Sequence, residues 1–157
     1  MTLTPKGYHA EMFERRQKES LANDLILGLK DVQDYMKGVC YDAVAYVLHL
    51  QNSADITYTD VINTNSNDWM NTFSSRREWT GASIPEGTAV GFYRTISGSF
   101  FHAALATGGT RVRAINGLTL GAGWINEVNL TTALGARNED GTYNHDRTKI
   151  RVYLMSL

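Results

Sequence analysis

The stretch KGVCYDAVAYVLHL, residues 37–50, holds Cys40, the single cysteine of the chain. After it, apolar residues at positions 43, 44, 47 and 48 continue the i, i+3, i+4, i+7 spacing of an amphipathic helix. The pattern predicts a helix that begins at Cys40. Because a helix N-terminus carries partial positive charge, a thiol there is favoured as the nucleophilic thiolate. The alternative interpretation is that Cys40 is a small buried apolar residue.

The length, composition and net charge limit the class of protein. The 157 residues suit one domain, and a composition of 43% hydrophobic and 20% charged residues is ordinary for a globular protein. A net charge of −1 favours neither nucleic acid nor an anionic membrane as a partner. There is no run of eighteen apolar residues, so we expect no membrane span. The N-terminal residues lack the apolar segment of a signal peptide, so we expect a cytoplasmic protein or one exported by a signal-peptide-independent, specialised route.

Outward from residues 37–50, the first half of the chain is predicted to be helical and the second half to be strands. Residues 9–36 have the composition of one long helix or two shorter ones, and residues 64–73 that of a short capped helix. Five strands are predicted over residues 87–94, 99–107, 110–116, 123–128 and 149–157. Residues 129–135 predict a capped helical turn, and residues 136–147 a dispensable polar loop. Helices followed by an antiparallel sheet define the α+β class.

A nucleophilic thiol needs a base, and the chain has four histidines. His49, nine residues after Cys40, falls on the opposite face of the predicted helix, which we expect to face solvent. His9 and His145 stand in polar segments and are expected at the surface. His102 lies in the apolar segment SFFHAALAT, where an unpaired imidazole would be costly. It is either a core histidine bonded to a backbone carbonyl or the base that serves the thiol.

Asn116 is the candidate for the residue that orients the imidazole of His102. A three-residue loop at 108–110 would place Asn116 opposite His102 in the neighbouring strand. A tight two-residue turn would instead pair His102 with Ile115 and turn Asn116 to the other face. The alternative is a polar residue at the end of a strand.

No metal or cofactor is predicted. The chain has neither His-x-x-x-His nor Cys-x-x-Cys spacing, and the Asp and Asn residues near position 140 lack the glutamate that ends a calcium loop. Arg111 and Arg113 alternate onto one face of a predicted strand, which indicates a solvated basic patch or a contact for an acidic substrate. Trp124 is expected in the core, or alternatively in the lining of a cleft.

The order of these elements resembles that of a known family. GVCYDAVAYVLHL is similar to the catalytic helix of NlpC/P60-type papain-like cysteine peptidases and amidases, and IPEGTAVGFYR followed by FFHAALATGGTRVRAING is similar to the strands that come next. The likeness covers residues 38–134. It implies one papain-like α+β domain over residues 1–157. Its parts would be an N-terminal helical part (1–36), the catalytic helix with a helical segment (37–80) and an antiparallel sheet (81–157).

The resemblance also implies a function. It makes Cys40 the nucleophile, His102 the base and Asn116 the orienting residue of a thiol-dependent amide hydrolase, with no cofactor. We expect a peptide, peptidoglycan or protein substrate, as for a secreted bacterial effector or toxin that an immunity protein would inhibit. Two alternatives remain open. One is a cysteine-dependent deamidase, transglutaminase or acyltransferase, and the other is a non-catalytic binding domain with the same fold.

Overall fold

The computed structural model describes residues 14–51, 73 and 75–156. Its α-helices are α1 (Arg15–Ile26), α2 (Cys40–Gln51) and α3 (Leu130–Leu134), and its strands are β1 (Ser75–Glu78), β2 (Ala89–Arg94), β3 (Ser99–Gly108), β4 (Arg111–Arg113), β5 (Val128–Asn129), β6 (Tyr143–His145) and β7 (Thr148–Ser156). Single turns of 3-10 helix occupy Val32–Asp34 and Leu118–Leu120. The α+β class is confirmed. His9 and, apart from Phe73, the helix predicted over residues 64–73 lie outside the described residues.

The seven strands of the described residues form one antiparallel sheet, in the order β1-β7-β2-β3-β4-β5, with β6 paired to β7 off this path. The sequence predicted about five strands and missed β1 and β6. β1 is a short edge strand with the charged sequence SRRE, which carries no apolar alternation and lies before residue 81, where the sheet was expected to begin. The strand predicted over residues 123–128 was wrong for most of its length, because only Val128–Asn129 pairs with β4.

The prediction that residues 136–147 are a dispensable loop was also wrong. Tyr143 in this segment is 2% exposed and stacks on Trp79 with ring centroids 5.4 Å apart. The segment is polar in composition, yet one aromatic residue anchors it as β6 against β7. By contrast, the capped turn was correctly predicted: the Asn129 side chain accepts from the Thr131 N–H at the start of α3.

The sheet separates two hydrophobic cores. α1 and α2 cover one face and form the helix-side core, to which the sheet contributes Ala89, Phe100, Ala103, Leu105 and Met155. On the other face lies the outer core, which includes Val90, Phe92, Ala104, Ala106, Val112, Leu120, Leu134, Tyr143, Ile150 and Val152. Along β3 the two sets alternate, as the period of two in a strand requires.

α2 is buried on both of its long sides, because it packs against α1 and against β3. Among residues 40–50 only Asp42 is not classed as buried, and His49 is 2% exposed. The prediction that His49 marks a solvent face was therefore wrong. The helical-wheel argument assumed one buried side, whereas this helix has two.

A β-bulge in β3 decides which face each of its first residues presents. Phe92 of β2 pairs with His102 and Tyr93 pairs with Phe100, so Phe101 is an extra residue between the two pairs. Beyond the bulge the ladder is regular, and His102 stands two positions before the first outer-core alanine of β3. The side chain of His102 therefore lies on the outer face of the sheet.

Candidate active site

The start of α2 is built from backbone and one carboxylate. Val39 precedes the helix, and its N–H donates to the Asp42 carboxylate at 2.7 Å. This is the returning half of a capping box, and it also places negative charge in the first turn, where the helix dipole favours it. Gly38 has φ 139°, and a Cβ there would collide with the Asp42 side chain. Glycine at position 38 thus permits the turn that fixes where Cys40 begins the helix.

Cys40 begins α2 as predicted, but its surroundings do not activate it in this arrangement. The residue is 5% exposed, and burial raises the pKa of the thiol above its ordinary value. The backbone N–H groups of Ala103, Tyr41 and Cys40 itself act in the opposite direction and lower that pKa, while the charge of Asp42 raises it. Burial outweighs the three donors, so at neutral pH the protonated thiol predominates.

His102 carries a defined tautomer. Its Nε2 lies 2.9 Å from the carbonyl oxygen of Leu120, and a carbonyl only accepts, so Nε2 bears the hydrogen. Nδ1 is buried and has no hydrogen-bond partner among the described residues, which leaves its lone pair unused. Burial lowers the pKa of His102 to about 4, with the charge of His145 lowering it further and the Leu120 bond raising it. The imidazole is therefore neutral at pH 7.

The ring of His102 is held on the outer face by close packing. It lies 5.1 Å from the ring of Phe92, centroid to centroid, and directly against Gly117, where a Cβ would overlap the imidazole. Cys40 belongs to the helix-side core, with the N–H of Ala103 facing its sulfur. The sheet thus brings Ala103 to the thiol, and in this arrangement it does not bring His102 to it.

No hydrogen bond joins Asn116 to His102 among the described residues. The β3–β4 ladder pairs Leu105 with Arg113, a register that would set Asn116 opposite His102 if the strand continued. However, β4 ends at Arg113, and Asn116 lies three residues later in a loop, exposed and with φ 60°. The partner of the imidazole is the Leu120 carbonyl, a main-chain group that no sequence motif could have indicated.

The predicted basic patch was wrong for one of its two residues. Arg111 is exposed, whereas Arg113 is 8% exposed. Its guanidinium donates to the carbonyl oxygens of Ile26, Leu27, Trp124 and Ile125 at distances of 2.8 to 3.3 Å. Trp124 is a core residue, as first expected, and its Nε1 donates to the Leu25 carbonyl at 2.8 Å. Arg113 and Trp124 together anchor the C-terminal end of α1.

A cationic and aromatic cluster beside His102 was not predicted. The guanidinium of Arg94 lies 4.3 Å from the centroid of the Phe101 ring, and His145 stacks on the same ring at 5.9 Å. His145 is partly buried in β6 rather than in a surface loop, and burial lowers its pKa. The charge of His145 adds to burial in lowering the pKa of His102, and the charge of Arg94 in turn lowers the pKa of His145.

Replacing Asp42 with asparagine is expected to lower the pKa of Cys40, because the carboxylate charge raises it and the amide oxygen can still accept from Val39. The pH dependence of iodoacetamide alkylation in the native protein measures this shift. Asp34→Asn, which removes an exposed carboxylate from the preceding 3-10 turn, is the matched control and should leave the profile unchanged. An unchanged or higher pKa in Asp42→Asn would contradict the expected effect of the charge.

No family model matches the chain, and no curated protein matches its sequence. Within residues 14–51, 73 and 75–156, no group of three His, Cys, Asp or Glu side chains is arranged to hold a metal ion. None of the helices in the same residues has the length and apolar character needed to cross a membrane.

Proposed function

We propose that the protein is a thiol-dependent amide hydrolase, a cysteine peptidase or amidase of papain-like architecture, with Cys40 as the nucleophile and His102 as the base. The observation that carries the proposal is the position of the Cys40 sulfur. It stands at the start of a twelve-residue helix, where the main-chain N–H groups of Ala103, Tyr41 and Cys40 act to lower the pKa of its thiol. Such a set of donors suits both a thiolate and the oxyanion of a tetrahedral intermediate.

The protonation state of His102 supports its role as a base. A general base must be unprotonated at the working pH and must have a free lone pair. In its described position on the outer face His102 is neutral at pH 7, and Nδ1 holds the lone pair because Nε2–H is bonded to Leu120. The proposal requires the imidazole to reach the face of the sheet on which Cys40 lies.

The chemistry follows from these groups. The proton of the Cys40 thiol passes to the unprotonated nitrogen of His102 as the sulfur attacks the carbonyl carbon of an amide. The resulting imidazolium gives the proton to the leaving amine, and a thioester remains. Water, deprotonated by the same imidazole, then attacks the thioester and releases the acid with the free thiol. If an amine takes the place of water at this step, the product is that of a transferase.

Hydrolysis by the purified protein is expected to fall by about a thousandfold or more in Cys40→Ser and in His102→Gln, because each removes a reacting group. Isolated peptidoglycan and casein are suitable first substrates, with release of new amino groups as the readout. Asn116→Ala is the matched control and should keep its activity, because that side chain is exposed and makes no hydrogen bond to the imidazole among the described residues. Addition of a primary amine separates transfer from hydrolysis through the product formed.

The burial of Cys40 and His102 on opposite faces of the sheet favours a second candidate function, a binding domain without catalysis. The buried thiol and the outward imidazole are each accounted for as core packing, with His102 bonded to Leu120. This candidate predicts that Cys40 reacts with iodoacetamide only after denaturation and that His102→Gln leaves its reactivity unchanged. Native-state alkylation that depends on His102 would exclude it in favour of the hydrolase.

A further inference from the structure

The bulge at Phe101 has an alternative position one residue further along β3. In the described ladder Phe92 pairs with His102 and Gly91 pairs with Ala103. If Phe101 entered the ladder opposite Phe92, His102 would pair with Gly91, and Ala103 would become the extra residue. Residues before Phe101 and after Ala103 would keep their partners, so the change is confined to three residues of one strand.

We propose that β3 moves between these two pairings, and that the second one turns His102 to the helix side of the sheet, beside Cys40. A one-residue slip in a strand exchanges the face that a side chain presents. Residue 103 of the described pairing is the one whose N–H faces the Cys40 sulfur. In the second pairing His102 takes that place opposite Gly91. The inference rests on the proposed function, because it explains how the base reaches its thiol.

The position of His102 on the outer face does not satisfy all of its polar atoms, which favours an exchange between the two pairings. Nδ1 is buried there and lacks a partner among the described residues. On the helix side the thiol of Cys40 would supply a donor to that nitrogen. Phe101, partly buried at present and with its ring 6.3 Å from that of Phe92, would move into the place that the imidazole leaves. The exchange therefore places an apolar ring in the outer core and a base beside the nucleophile.

Gly91 suits the second pairing because it contributes no side chain on the helix side of β2. It lies in one row with Ala103 of β3 and Tyr153 of β7. A larger residue at position 91 would stand directly opposite the imidazole on the same face, where paired side chains are about 5 Å apart. Glycine in a strand interior often marks a place that another group approaches closely.

Two single-residue deletions test the proposal as a matched pair. Deletion of Phe101 removes the bulge and fixes His102 opposite Phe92, on the outer face. Deletion of Ala103 also removes the bulge but fixes His102 opposite Gly91, on the face of Cys40. Cys40 should be alkylated by iodoacetamide at pH 7 at least about tenfold faster in the second variant than in the first. Adding His102→Gln to the second variant should abolish this difference.

Equal alkylation rates in two deletion variants that both unfold cooperatively would overturn the proposal.

Gly91→Val is the second test, for the case in which a deletion variant does not fold. The valine side chain would occupy the helix-side position that the imidazole needs, so the alkylation rate of Cys40 should drop to that of His102→Gln. A rate equal to that of the native sequence would overturn the proposal. Full hydrolytic activity after deletion of Phe101 would refute the change of pairing in β3 but would support the proposed hydrolase function. An activated Cys40 without hydrolysis in the Ala103 deletion would support the shift and refute the hydrolase.

Discussion

Replacing Arg113 with methionine is expected to lower the free energy of unfolding by about 3 kcal/mol or more. The substitution removes charge-assisted hydrogen bonds and leaves buried carbonyl oxygens without a donor, next to an apolar side chain. The guanidinium donates to four carbonyl oxygens, and Glu127 lies 3.8 Å from it. Methionine fills a similar volume and donates to none of them. Urea denaturation followed by far-ultraviolet circular dichroism measures the change.

Arg111→Met is the matched control for this experiment. Arg111 is on the same strand and approaches the same Glu127, at 3.5 Å, but its side chain is 53% exposed. An exposed ion pair contributes about 0 to 1 kcal/mol, so the control should stay close to the native stability. Similar losses in both variants would contradict the assignment of Arg113 as the residue that anchors α1.

Acidification from pH 6.5 to pH 4 is expected to destabilise the native protein by about 3 kcal/mol through His102 alone, since each unit of pKa shift corresponds to about 1.4 kcal/mol. The folded-state pKa of His102 is about 4, below its ordinary value of 6.5, so the unfolded chain binds the additional proton in this range. The stabilisation is complete above pH 6.5 and is lost as the pH falls through 4. Urea midpoints at several pH values measure this slope.

His102→Gln should flatten the pH profile in this interval, because glutamine does not titrate while its amide can still donate to the Leu120 carbonyl. The pKa of His145 is also lowered by burial, so His145→Gln is needed to separate the contribution of His145 to the slope. If the native protein and His102→Gln lose stability in parallel between pH 6.5 and pH 4, then His102 is not the group that titrates.

Local sequence patterns predicted where the helices and strands lie better than they predicted which face of the sheet each residue occupies. The helix that begins at Cys40 and the strands β2, β3 and β7 follow from apolar periodicity and from glycine at the turns. The face of His102 did not follow, because SFFHAALAT has apolar residues at both alternate sets of positions. A segment buried on both faces gives no sign of where an extra residue enters its ladder.

The partners of the buried polar groups were equally hidden from sequence patterns. His102 bonds to the carbonyl of Leu120, and Arg113 to the carbonyls of four residues. Every residue has a backbone carbonyl, so its role as an acceptor leaves no trace in residue type. Side-chain partners leave such a trace, which is why the Asn129 cap of α3 was predicted.

The anchoring of α1 has a consequence for the order in which the protein can be assembled. The carbonyls of Leu25 and Ile26 receive their donors from Trp124 and Arg113, which are 99 and 87 residues later in the chain. On the ribosome α1 emerges long before β4 and the loop that follows it. Its C-terminal end must therefore wait for most of the sheet to be synthesised before it can dock. Contacts of such long sequence separation form slowly, so the attachment of α1 belongs to the late stage of folding.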